Sequence, residues 1–206
     1  MAFDLYAGRL GLSSAPRALN DLDFVAESFK CIPATLTKDF LFRHVHPPDP
    51  PGKIILQLID ADAALRIDVF RACGQTMSRS VPANLPSGPL RVVSLEDLVA
   101  RAARLLLDLA DGVPVASKHA RDYLRFVDLV DPVVMDEAWQ DHRKPEHPWS
   151  FEEARRALPD LFCAHPGLLI TPVYSKNPEE QCPRCTPFAR FPLADPNVVL
   201  TLLGYC

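Results

Sequence analysis

Asn20-Asp21-Leu22-Asp23-Phe24 and Leu65-Arg66-Ile67-Asp68-Val69-Phe70 are the two stretches on which the fold turns. In both, charged and apolar residues alternate with a period of two, the pattern of a strand with one polar and one apolar face. Asp21 and Asp23, at i and i+2, share a face, and Leu22 and Phe24 are expected to point into the core. In the second stretch Ile67 and Val69 take one side, Arg66 and Asp68 the other. A carboxylate flanked by apolar residues in mid-strand is either on a solvated face or held in a site. If the two strands are neighbours, Asp21, Asp23 and Asp68 converge on one spot. Carboxylates side by side repel unless a cation lies between them, and Mg²⁺ with its oxygen preference fits that need. Three converging carboxylates are what two-metal phosphoryl transfer uses, with two ions bridging the attacking and leaving oxygens. The plainer alternative is a solvated strand edge.

Outward from these strands, residues 1–10 read as a short helix, and Phe40 to Val45 as another strand. Ile54 to Ile59 is an apolar strand antiparallel to 65–70, joined to it through a hairpin turn at Asp60-Ala-Asp62-Ala. Leu90 to Val93 is expected to close the sheet. The period then changes. Ser94-Leu95-Glu96-Asp97 resembles a capping box, and Leu95, Leu98, Val99, Ala102, Leu105, Leu106 and Leu109 follow at helical spacing until Gly112. Further helices are expected over about 117–130, about 133–141, from Ser150, and from Asp195-Pro196 to before Gly204. Strands first and helices second give an α+β fold: a mixed or antiparallel sheet, then packed helices, then a cysteine-containing C-terminal tail.

The 206 residues suit one domain with a small appendage. The expected division is 1–93 for the sheet part, 94–158 for helices of the same domain, and 159–206 for the tail. A net charge of −4 argues against a global basic field drawing the chain onto nucleic acid, although a local patch would suffice. The 21 prolines concentrate in 47–51, 82–89, 145–148 and 159–196, which read as loops. No run reaches the ~18 apolar residues of a membrane helix and the N-terminus has no signal-peptide pattern, so a cytoplasmic protein with no membrane partner is expected.

Reduced thiols or metal ligands are therefore expected of the six cysteines. Cys182-Pro-Arg-Cys185 is a C-x-x-C turn; Cys163 and Cys206, with His165 as substitute, would complete a tetrahedral structural Zn²⁺ site in the tail. Uncoordinated thiols are the alternative, since only one C-x-x-C is present, and a redox pair is a third. Cys31 and Cys73 read as ordinary buried thiols. His44 and His46 alternate along a strand, a spacing open to metal but common on exposed faces. His119, His142 and His147 fit no partner pattern, and Trp139 and Trp149 read as packing anchors. Serine-hydrolase and P-loop motifs are absent from the sequence.

The DLDF and RIDVF segments resemble the D-h-[DE]-h and h-D-h strands of nucleotidyltransferase-like palms, and are most similar to the AbiEii-type abortive-infection toxins and their relatives. In that family an R-x-x-x-DLDF segment occurs, here Arg17 to Phe24. A "sLEDLhA" helix follows, here Ser94 to Ala100, and then a K-x-x-[KR]-D element, here Lys118 to Asp122. The likeness spans about residues 1–130. It implies a Mg²⁺-dependent nucleotidyltransferase that moves a nucleoside monophosphate from a triphosphate to an RNA, protein or small-molecule hydroxyl, with an antitoxin as partner. Asp21 and Asp23 would bind metal and triphosphate, and Asp68 would complete the second metal site. Arg17 would steady the carboxylates or be a loop arginine, and Lys118 and Arg121 would neutralise phosphate or form a solvated helix face. The family's Gly-Gly phosphate turn would fall just before Met1, and its lysine falls on Ala102, with Arg101 and Arg104 beside it. These departures carry the alternative, a non-catalytic interaction protein built on a degraded palm.

Overall fold

A computed structural model describes residues 2–12, 21–28, 32–33, 35–45, 55–60, 65–85 and 88–171. The chain divides into two compact units, Met1–Ala15 with Cys73–Val173, and Pro16–Ala72 with Tyr174–Cys206. The architecture is mixed α+β, with small sheets and several helices.

The second unit holds a four-stranded sheet in the order β1-β4-β3-β2, formed by β1 (Asp21–Ala26), β2 (Leu41–Val45), β3 (Ile55–Asp60) and β4 (Leu65–Arg71). β1 runs parallel to β4; the other two pairings are antiparallel. The alternation seen in the sequence becomes two unlike faces. One carries Leu22, Ile67 and Leu58 in one register row and Phe24 and Val69 in the next. Leu58 and Val69 of this face are buried with Ile32, and Leu36 from the short helix α2 (Leu36–Asp39) and Phe40 pack against them. Burying Leu58 and Val69 on one side defines the register, because a one-residue slip would invert both faces. Phe24 departs from expectation: it is 52% exposed. Among the described residues β1 is an edge strand of this sheet, with a neighbour on one side only.

The first unit is built around α4 (Leu95–Leu107), which packs against α1 (Ala2–Arg9), α5 (Ser117–Phe126), α6 (Pro132–His142) and α7 (Phe151–Ala164). Val99, Ala100, Ala103 and Leu106 of α4 have no exposure, nor do Phe126, Trp139 and Leu158 from three surrounding helices. α4 starts where Ser94 Oγ accepts from Asp97 N at 3.0 Å. It tightens into a 3₁₀ turn at Asp108–Asp111 and ends at Gly112, whose φ of 71° is the left-handed conformation that lets the chain turn away. α6 opens on the Asp131 cap with Pro132 next, and α7 on a complete Ser150–Glu153 capping box.

Three expectations change here. The proline stretch at 82–89 is a hairpin, β5 (Val81–Leu85) with β6 (Gly88–Val92), not a loop. In a two-stranded ribbon each strand keeps an open edge, so Pro82 and Pro89 can occupy positions where no N–H is required. Leu90 accordingly closes no larger sheet: among the described residues β6 pairs with β5 alone. α7 runs through Pro159 to Ala164, because Phe151, Ala154 and Leu158 are buried on the core and Phe162 meets Tyr123 edge-on at 6.5 Å. That packing offsets the roughly 3 kcal/mol an interior proline costs. The helix expected from Asp195, the tip of the Asp60–Ala63 turn and the C-x-x-C tail lie outside the described residues.

α3 (Thr76–Arg79) and the Cys73-Gly74-Gln75 turn before it join the hairpin to α4 and α6. Gly74 has a φ of 45°, and a Cβ there would lie 1.9 Å from Asp141 Oδ1. Asp141 Oδ2 in turn accepts from Gln75 N at 2.7 Å, closing the turn over the end of α6.

Candidate functional site

The polar face of the four-stranded sheet is ordered by register. Asp23 pairs with Asp68, Asp68 with Gln57, and Gln57 with His44, so one row crosses all four strands. Asp21, two positions before Asp23, pairs with Arg66 in the next row. Strand alternation therefore assigns positions 21, 23 and 68 to a single face. Asp23 lies on the exposed edge, whereas Asp68, on a central strand, is 6% exposed. Like charges directly across a strand pair destabilise a sheet unless a cation or proton lies between them. The carboxylates of Asp23 and Asp68 offer oxygen ligands of the kind a hard divalent ion prefers. Among the described residues, no three His, Cys, Asp or Glu side chains are grouped so as to hold a metal.

The remaining expected site residues are distributed elsewhere. Lys118 and Arg121 lie on α5 in the other unit, Lys118 half-buried and Arg121 exposed. Between them His119 is pushed down to about 4, first by burial and then by the charges of Lys118 and Arg101, with Asp122 opposing. Cys163 is an exposed free thiol on α7. Arg17, Cys182, Cys185 and Cys206 lie outside the described residues.

A second polar centre, around Asp97 of the Ser-Leu-Glu-Asp segment, was visible in the sequence only as a helix cap. Asp97 has no exposed surface, yet it is ionised. Arg79 donates to it twice, Nε to Oδ2 at 3.0 Å and Nη2 to Oδ1 at 2.7 Å. Ser94 Oγ donates at 2.6 Å and Thr76 Oγ1 at 3.1 Å, and His142 Nε2 lies 2.9 Å from Oδ1. Burial alone would raise this carboxyl, but hydrogen bonds from His142, Arg79 and Ser94 hold it well below the usual carboxylate range. For His142, burial works the other way, and its bonds to Asp97 and Cys73 raise it nonetheless. Arg79 also reaches Asp141 Oδ2 at 2.7 Å, so the cluster ties α3, α4 and α6 together. Apart from Ser94, the partners lie on α3 and α6, 18 to 45 residues from Asp97, which is why no local motif announced them.

At the C-terminal end of α4, Lys144 bonds Asp108, and His147 Nε2 lies 3.6 Å from the same carboxylate. His147 stacks on Trp139 at 6.2 Å, and Trp139 Nε1 donates to Pro148 O at 3.1 Å. Trp139 is the packing anchor expected of it. Trp149 is not: it is 70% exposed, with Arg143 over its ring at 4.5 Å. Its neighbours Pro148 and Ser150 start the turn into α7, so the ring is left on the outside.

Compared with family models, with curated proteins and with solved structures, the chain gives no match. The chemistry of the two polar centres is therefore the basis for assigning a function. The Asp97 cluster is closed, its carboxylate wrapped by donors and carrying no surface for a ligand. The acidic row joins an exposed carboxylate, Asp23, to a buried one, Asp68, on a regular scaffold.

Proposed function

We propose that the acidic sheet face is the active centre of a nucleotidyltransferase-like palm, and that the protein moves a nucleoside monophosphate from a nucleoside triphosphate to a hydroxyl acceptor. The observation that carries this reading is the Asp23–Asp68 register pair, with Asp21 on the same face. Asp21 and Asp23 hold magnesium and, through it, the triphosphate; Asp68 completes the second metal position. Bound there, two Mg²⁺ ions would neutralise the charge spread over the transferring phosphoryl group. Asp68, shielded on a central strand, keeps its carboxylate in one place, which positioning catalysis demands. The AbiEii-like segments in the sequence extend the proposal to a toxin whose acceptor is RNA, a protein or a small molecule and whose partner is an antitoxin protein. Lys118 and Arg121 are the proposed phosphate contacts and Arg17 the support of the carboxylates. A Zn²⁺ bound by Cys163, Cys182, Cys185 and Cys206 is proposed for the tail.

Two observations favour a second reading, a non-catalytic interaction protein: Asp68 is 6% exposed, and Ala102 stands where the toxins it resembles carry a lysine. The two are separated by incubating the protein with Mg²⁺, each labelled nucleoside triphosphate and total RNA. Label transfer abolished by Asp21→Ala and by Asp68→Ala supports the enzyme. No transfer from any nucleotide supports the interaction protein. For the tail, metal analysis decides, and zinc below about a tenth of an equivalent removes the site.

A further inference from the structure

Val133 and Trp149 are the two most exposed large hydrophobic residues among the described ones, at 72% and 70%. One helix face connects them. Val133, Asp136, Glu137 and Gln140 stand at i, i+3, i+4 and i+7 on α6, all exposed, opposite the buried Met135, Ala138 and Trp139. Gln140 joins this stripe to Trp149: its Nε2 donates to Trp149 O at 2.6 Å, and its Oε1 accepts from Arg143 Nε at 3.0 Å. Arg143 lies over the indole at 4.5 Å, and its Nη1 donates to Lys144 O at 3.2 Å and to His147 O at 3.3 Å. These bonds fix the guanidinium, which in turn covers one face of the ring and leaves the rest of Trp149 outward in a set pose. An exposed aromatic that is already ordered loses little freedom on binding, and Trp and Arg are the side chains that most often anchor protein interfaces.

Charge selects the partner. Asp136 and Glu137 lie between the two apolar ends of the stripe, while nearby cations are engaged elsewhere: Lys144 by Asp108, Arg155 by Asp128 at 2.7 Å, and Arg156 by Glu152 at 3.0 Å. Two carboxylates here repel nucleic-acid phosphates and oppose a second copy of the same surface. They attract lysine and arginine. The rise from Val133 to Gln140 is about 10 Å, two helical turns. We propose that this face docks a basic amphipathic helix of another protein. Its apolar side chains, two turns apart, meet Val133 and Trp149, and lysine or arginine one turn in meets Asp136 and Glu137. The surface belongs to the helical unit and does not rest on the chemistry assigned to the sheet.

The test titrates the full-length protein into a fluorescein-labelled synthetic helical peptide with leucine at i and i+7 and lysine at i+3 and i+4. Binding is read by fluorescence anisotropy, beside the same peptide with glutamate in place of lysine. The lysine peptide is expected to bind saturably and about tenfold more tightly than the glutamate peptide. Trp149→Ala and Val133→Ser should each weaken binding about tenfold, and Asp136→Lys combined with Glu137→Lys should remove it. Leu124→Ser, at a position 59% exposed on α5, should leave it unchanged. All these side chains are on the surface, and unchanged thermal melting verifies that the variants fold. Lack of saturable binding, equal binding of the two peptides, or unchanged affinity in both Trp149→Ala and Val133→Ser would overturn the proposal. So would self-association in sedimentation that Trp149→Ala abolishes, because the stripe would then serve a second copy.

Discussion

Replacing Asp97 with asparagine keeps the shape of the side chain and removes its charge, and its effect can be worked out from the cluster. The carboxylate accepts from Arg79 at 2.7 and 3.0 Å, from Ser94 at 2.6 Å and from Thr76 at 3.1 Å, with His142 at 2.9 Å. An amide offers one acceptor where two oxygens stood, and its NH₂ would face a donor on the Arg79 and Ser94 side. Arg79 keeps only Asp141, whose side chain is 22% exposed, and His142 loses its counter-charge. Removing one member of a buried ion pair costs about 3–5 kcal/mol. With a slope of about 2 kcal/mol per molar urea, the midpoint falls by about 2 M. Urea unfolding followed through Trp139, buried in the same unit, measures it. The pH dependence adds a signature. The raised His142 value means its contribution is complete below about 6.5 and is lost as pH rises through the folded value. The depressed Asp97 value means its contribution is complete above about 3.8 and is lost as pH falls through the folded value. The penalty of Asp97→Asn is thus largest between those limits and shrinks toward alkaline pH. A penalty below about 1 kcal/mol, the range of exposed pairs, or one independent of pH from 5 to 9, would refute the reasoning.

Gly74→Ala combines a φ of 45° with a Cβ 1.9 Å from Asp141 Oδ1, so it should displace that carboxylate and destabilise by about 2–4 kcal/mol; thermal melting checks it. His119, pushed down to about 4 first by burial and then by Lys118 and Arg101, gives the opposite sign to His142. Its unfolded form binds the proton first, so stability is complete above about 6.5 and declines as pH falls toward 4, by on the order of 3 kcal/mol. His119→Gln should flatten that acid-side slope in urea midpoints measured between pH 4 and 7. Ser150→Ala removes the Ser150 half of the α7 capping box and should cost about 1 kcal/mol, read from the same melts.

The strands around Asp21, Asp23 and Asp68 were legible because a period-two pattern with a single polar face leaves one choice of register. The helices were legible from apolar spacing and caps: Ser94, Ser150 and Gly112 all mark ends that form. What was hidden depended on non-local partners. Pro82 and Pro89 look like loop residues until a partner strand supplies a ribbon, and Pro159 looks like a stop until Leu158 and Phe162 meet the core. Phe24 reads as core because its neighbours alternate, but an edge strand leaves it half uncovered. The Asp97 cluster joins residues from positions 76 to 142, so the sequence displays only its cap. For the candidate site, the parallel pairing of β1 with β4 decided which aspartates face one another, and parallel pairing across forty residues leaves no local mark.

The central claim, that Asp23 and Asp68 form a divalent-cation centre, is tested most directly by Mn²⁺ binding to the intact protein, followed by electron paramagnetic resonance with and without nucleoside triphosphate. The account predicts saturable binding that strengthens with triphosphate and is lost in Asp23→Asn and in Asp68→Asn, both checked for folding. Binding that survives Asp23→Asn unchanged, or a folded protein that takes up no Mn²⁺ even with triphosphate present, would contradict it.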